Sequence, residues 1–159
     1  MQPMRSSLTA GATVNSIGLL KLYLVSVSNL HVQVKQAHWN VKNLGSEPLN
    51  IMFGKIAAEI AFLANRIEEY AIGFGIANTP RDADVTRRHF LNLHPRGISD
   101  AQYFAFAIYG ALAVFSQSMR HASGHALEFG DPETANLFAE VSGAIEDLTR
   151  ILEAHITST

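Results

Sequence analysis

The sequence predicts an all-α domain, a bundle of four long helices with one long crossover between the second and third. Three observations lead there. Apolar residues recur at steps of three and four through four long segments. Short breaks rich in Gly, Asp or Pro separate the first segment from the second and the third from the fourth. Between the second and third lies a connection too long for a simple turn.

Residues 1–14, rich in Ser, Thr, Gly and Ala with Pro3, read as a flexible tail, and 15–157 as the bundle. The first helix is expected over 15–42. Val25, Val27, Val32 and Val34 alternate with other residues as in a strand. No Gly or Pro interrupts the chain between Gly18 and Gly45, however, and a strand of that length would need a turn. As a helix, Leu20, Leu24, Val27, His31, Val34 and His38 form one face, so both histidines lie on an apolar stripe.

Gly45-Ser46-Glu47-Pro48 ends one helix and starts the next, with Ser46 the expected cap and Pro48 in the first turn. The second helix, about 47–73, carries the stripe Phe53, Ile56, Ile60, Leu63, Ile67, Tyr70 and Phe74, and Gly73 and Gly75 stop it. The crossover, 76–98, contains Arg81, Arg87, Arg88, Arg96, His89 and His94, with a short helix expected near 82–91. The third helix spans roughly 99–129, with Phe104, Ile108, Ala111, Phe115, Ser118 and Ala122 inward. Gly130 ends it, and Asp131-Pro132 opens the fourth, whose stripe is Phe138, Val141, Ile145, Leu148, Leu152 and His155.

Composition narrows the function classes. The chain of 159 residues is 48% apolar but only 16% charged, below the usual share of about 25%. A domain this small cannot hide that much apolar surface alone, so other subunits are expected to cover part of it. The net charge of −2 argues against strong nonspecific binding to nucleic acid. There is no cysteine, which excludes disulfides and thiolate metal sites and suits a reducing cytoplasm. Lys21 interrupts the best candidate for a membrane span of about 20 apolar residues, so none is expected.

The chemistry centres on His31 to Gly75. His38-Trp39-Asn40 precedes the first break, and Arg66-Ile67-Glu68-Glu69-Tyr70 closes the second helix. Histidine on one side of a break and carboxylate on the other is what a metal site between helices needs. His31, two turns before His38, would require a separate site. His121, His125 and Glu128 step by four and three, a spacing that chelates a divalent metal or simply suits a solvated helix end.

Lys35-Gln36-Ala37-His38-Trp39-Asn40-Val41-Lys42 resembles the signature of the Dps family, the DNA-protecting miniferritins of starved cells. Gly130 to Thr134, Leu137-Phe138 and Ile151-Leu152-Glu153-Ala154-His155 resemble its fourth-helix start and closing segment. The resemblance implies a ferritin-like four-helix bundle, a dodecameric cytoplasmic shell, iron as substrate and stored mineral, and hydrogen peroxide as oxidant. It also implies an iron site between two-fold-related subunits, built from two histidines and three acids. His38 matches the first histidine and Glu69 the glutamate, and these two are the expected catalytic and metal-binding residues. The second histidine falls on Asn50, the acid four residues on upon Gly54, and the aspartate on Asn65, so three ligands are replaced.

By the same resemblance, acids near Asp131 and Glu133 line a pore through which iron enters, and Trp39 either packs beside the site or intercepts a radical. The expected function is iron binding and storage with protection against oxidative stress, its ferroxidase site weakened or relocated. Two alternatives stand beside it: a non-catalytic shell protein and a DNA-condensing protein. The single basic residue of the front tail, Arg5, and the uncharged end after His155 argue against the latter.

Overall fold

The computed structural model describes residues 8–76 and 100–157. They form four helices: α1 (Ala10–Asn43), α2 (Glu47–Ile72), α3 (Asp100–Glu128) and α4 (Pro132–Thr157). The all-α four-helix bundle is as expected. The short helix near 82–91, the basic residues Arg81, Arg87, Arg88 and Arg96, and His89 and His94 lie outside the described residues.

Helix α1 starts earlier than its apolar pattern indicated. Thr9 is extended and its hydroxyl accepts from the Ala12 amide at 3.0 Å, satisfying a donor the first turn would otherwise leave open. Residues 10–14, assigned from composition to the tail, are therefore helical. Helix α2 starts where expected with Pro48 in its first turn, but Ser46 caps it without a side-chain hydrogen bond. Gly45, Gly75 and Gly130 adopt positive φ, the left-handed backbone that lets the chain turn out of a helix.

One core runs through the bundle. Leu20, Val27 and Val34 of α1 meet Phe53, Ile60 and Ile67 of α2, Phe104, Ile108 and Leu112 of α3, and Phe138, Ile145 and Leu152 of α4, all fully or almost fully buried. On α3, Leu112 and Met119 take the inward places that the sequence reading gave to Ala111 and Ser118. Ser118 is exposed, because its hydroxyl turns to the rim of the core and bonds the Tyr23 phenol. The hairpins α1–α2 and α3–α4 pack most extensively, joined by narrower α1–α3 and α2–α4 contacts. Ser16 meets Asp131 and Tyr23 meets Ser118, so α1 and α3 run antiparallel.

By length and composition α1 is apolar enough to cross a membrane, contrary to the expectation from Lys21, with mean hydropathy 1.3 over its best window. A third of that window, 33%, is buried inside the subunit, where α1 supplies one wall of the core.

Polar contacts knit the end of the bundle where α1 begins. The Asp131 carboxylate is 2% exposed and accepts from Ser16 Oγ at 2.5 Å, Thr134 Oγ1 at 2.6 Å and the Thr134 amide at 3.1 Å. Thr134 Oγ1 in turn meets the Tyr70 phenol at 2.7 Å. Three helices, α1, α2 and α4, thus converge on one cap. Replacing Asp131 by Ala removes an N-cap and strands two hydroxyls, so urea unfolding at fixed protein concentration is expected to show a loss of about 2–3 kcal/mol. Ser16→Ala should cost about 1 kcal/mol. An Asp131→Ala protein within about 0.5 kcal/mol of wild type, the scatter of an ordinary surface change, would contradict this role.

Candidate functional site

His38 sits about one and a half turns before the end of α1, half-buried, and faces the start of α2. Its imidazole lies against Gly54: a Cβ built there would stand 3.4 Å from His38 Cε1 and 3.5 Å from Nε2. One turn earlier on α2 is Asn50, whose Oδ1 is buried without a hydrogen-bond partner. Of the three positions that the resemblance assigned to one half of an iron site, His38 and Gly54 thus lie together within one subunit, with Asn50 one turn from Gly54 on α2. Asn40, the last residue of the His-Trp-Asn block, bonds the Gln36 carbonyl of its own helix at 2.7 Å and does not reach the site.

The other half stays apart. Asn65 and Glu69 are exposed toward the far end of α2. At 1.5 Å per residue Glu69 lies about 22 Å along the helix from Gly54, so a single copy cannot close one metal site from both halves. Among the described residues no three His, Asp or Glu side chains converge. Trp39 is 64% exposed, so within the subunit it is a surface residue and not the packing element expected.

The donor set fits iron poorly. Ferric iron favours hard anionic oxygen donors. His38 supplies a neutral nitrogen, Asn50 and Asn65 neutral carbonyls, Gly54 nothing, and Glu69 the single carboxylate. Measured against the pattern that the resemblance implies, neutral Gly54 and Asn65 stand where two acids are expected.

The remaining candidates lie along α1 and α3 and at the start of α4. Asp131 is committed to the buried cap and cannot line a pore from inside the subunit, while Glu133 is half-buried in the first turn of α4, where an acid suits the positive helix end. His125 Nδ1 lies 3.5 Å from Glu128 Oε1 on the exposed face of α3. His121, also exposed, lines a separate cleft between α3 and α4 beside Arg120, which pairs with Glu146 at 2.5 Å. The three do not form one chelate in this chain, and a guanidinium next to His121 disfavours a cation. His31 is half-buried in the middle of α1.

Sequence reasoning missed the orphaned Asn50 carbonyl and the packing of His38 on Gly54. A glycine inside a helix, which costs about 1 kcal/mol relative to alanine, was the available signal for the second. The contact distances decide the sign of a test. A methyl at Gly54 makes an ordinary van der Waals contact with a half-buried ring that can give slightly. In dissociated subunits Gly54→Ala is therefore expected to raise stability by about 0.5–1 kcal/mol, measured by urea unfolding followed by circular dichroism. A destabilised variant would mean that the ring cannot move.

Comparison with known proteins agrees with the geometry. The family model of the ferritin-like domain matches residues 18–159. The chain is 25% identical over 152 residues to the DNA protection during starvation protein of Agrobacterium fabrum, covering 96% of this chain and 94% of that one. It is 29% identical over 145 residues to DNA protection during starvation protein 2 of Deinococcus radiodurans, covering 91% of this chain but 59% of that longer protein. A solved structure of a Phe-to-Glu mutant of Mycobacterium smegmatis Dps1 has the same fold, with a TM-score of 0.73 at 17% identity over 94% of this chain and 99% of that one. Bundle topology, the His-Trp-Asn block and these matches together place the chain in the ferritin-like domain family, as a member of the Dps proteins.

Proposed function

We propose that this chain forms a cytoplasmic homo-oligomeric shell, dodecameric by its family resemblance, that binds and stores iron and limits oxidative damage. Its iron oxidation at the inter-subunit site is slow. The observation that supports this reading is that His38 lies on Gly54 with Asn50 one turn away, positions where the resemblance implies two histidines and an acid.

In this reading Fe(II) is the substrate, held between His38 of one subunit and Glu69 of another. Each peroxide takes two electrons, one from each of two ferrous ions, and leaves as water or hydroxide. His38 donates a lone pair without charge, and Glu69 alone offsets the growing positive charge on iron. The ferric product is therefore less stabilised than it would be beside three carboxylates, and both binding and oxidation weaken. The two relatives are named for protection of DNA. A chain with net charge −2 has little electrostatic hold on a phosphate backbone, so the protection proposed here acts by removing iron and peroxide.

A second reading, a shell with no iron oxidation, is favoured by the neutral residues Asn50, Gly54 and Asn65 at positions where the resemblance implies ligands.

Anaerobic Fe(II) titration followed by peroxide separates the two. The expected result for the wild type is a slow rise of ferric absorbance above an iron-only blank, lost in His38→Ala and Glu69→Ala. The combined variant Asn50→His, Gly54→Asp, Asn65→Asp is expected to oxidise iron at least about tenfold faster, as returned ligands stabilise the ferric product. A wild-type trace identical to the blank would leave the non-catalytic shell. No gain in a correctly assembled triple variant would mean the site lies elsewhere.

A further inference from the structure

Charge is divided unevenly between the two layers of the bundle. Helices α1 and α3 lie side by side in one layer, and α2 and α4 in the other. From Ala10 to Asn43, α1 carries Lys21, Lys35 and Lys42 and no acid. From Ala101 to Met119, α3 carries no Asp, Glu, Lys, Arg or His. The acids among the described residues lie on α2, at the start of and along α4, and at the two ends of α3, Asp100 and Glu128. Lys21, Lys35 and Lys42 are exposed, and among the described residues none pairs with an acid.

The same layer is apolar where it meets solvent. Val14, Gly18, Lys21, Leu22 and Val25 step by three and four along one exposed side of α1. Phe106 and Val114, two turns apart, lie on the open side of α3, with Val114 70% exposed. Tyr23 bonds Ser118 across the antiparallel pair, so Leu22 and Val25 lie at the level of Val114. Lys35 is twelve residues beyond Tyr23, and Phe106 twelve before Ser118, which sets these two at one level as well. Most of the apolar window of α1, which has the hydropathy of a membrane span, is not buried inside the subunit. The face is thus aliphatic, spread over two helices, and its only charges along α1 are cations.

That combination discriminates among partners. A nucleic-acid duplex offers nothing to the valines and leucine between the lysines. A second copy docked on the same face by a two-fold axis would bring lysine against lysine. A bilayer with anionic headgroups suits both components. Aliphatic side chains enter the headgroup boundary, while each lysine lays its stem along the apolar surface and turns its ammonium to a phosphate. We propose that the outer face of α1 and α3 docks this protein on the surface of an anionic lipid bilayer. No candidate iron ligand is required, so the docking is independent of the function proposed above. In an oligomer, copies that face the same membrane multiply the weak contact of each.

The test is flotation of the full-length, assembled protein with vesicles of phosphatidylcholine and phosphatidylglycerol in equal parts, against vesicles of phosphatidylcholine alone. The wild type is expected to float with the mixed vesicles and to be released by high salt. Lys21→Gln should lower the apparent partition coefficient at least about fivefold, and Val25→Glu and Val114→Glu each at least about tenfold, with unchanged sedimentation coefficients. The two glutamate variants stand at exposed positions on different helices, so either one carries the test if the other fails to fold. A wild type that stays with neither kind of vesicle, or binds both equally, would overturn the proposal. So would undiminished binding by the glutamate variants, or displacement of the protein from vesicles by excess duplex DNA. Glutamate variants that break up the assembly would show that a second copy covers this face, and the proposal would fall while the iron chemistry proposed above stood untouched.

Discussion

The architecture depends on how the start of α1 is fixed. That helix is long, its first turns carry little apolar side chain, and Ala12 and Ser16 are the buried residues of its opening stretch. What holds Ser16 in place is a carboxylate 115 residues away in sequence, buried and supplied with three donors. Burial of an ionised acid is costly unless its oxygens are satisfied. Here the cost is offset by a backbone amide at a helix start and two hydroxyls. Because Thr134 also meets Tyr70, the register of α2 against α4 is tied to the same point. The polar cluster sets which turn faces which, and the apolar core fills the space so defined.

This constraint bears on the site. His38 lies at the end of α1 remote from the Asp131 cap, and Gly54 lies near the start of α2. A rotation of α1 by one residue at the cap would carry His38 off Gly54. The half-site is thus positioned by packing along the whole α1–α2 hairpin, since the three-residue loop around Gly45 contributes only a turn. The placement of His38 beside Gly54 is a property of the hairpin itself, whatever chemistry it hosts.

The fold was readable because its signals are local. Ser46-Glu47-Pro48, Gly73 and Asp131-Pro132 mark helix ends in the residues themselves, and the stripe from Phe53 to Ile67 states its period plainly. The early start of α1 was hidden because Thr9 stands among other small hydroxyl residues, and the partner that steadies the first turns is distant in sequence. Asp131 was recognisable as the opening of the fourth helix, but a cap and a pore residue look alike until burial is known. The candidate positions could be named from the sequence, but their surroundings could not. That His38 rests on backbone, that Trp39 faces outward and that Asn50 lacks a donor are facts of three-dimensional placement.

The exposed apolar side chains have a further consequence for the life of the newly made chain. Leu22, Val25, Trp39, Ile51 and Phe62 lie open on α1 and α2, and Val114 and Leu127 on α3, each about half or more accessible. A subunit fresh from the ribosome shows this surface to everything it meets before it finds a copy of itself. Its persistence is then a race between self-recognition and capture by chaperones or aggregates, and the outcome varies with the rate of synthesis. For such a chain, abundance in the cell is part of what keeps each molecule folded.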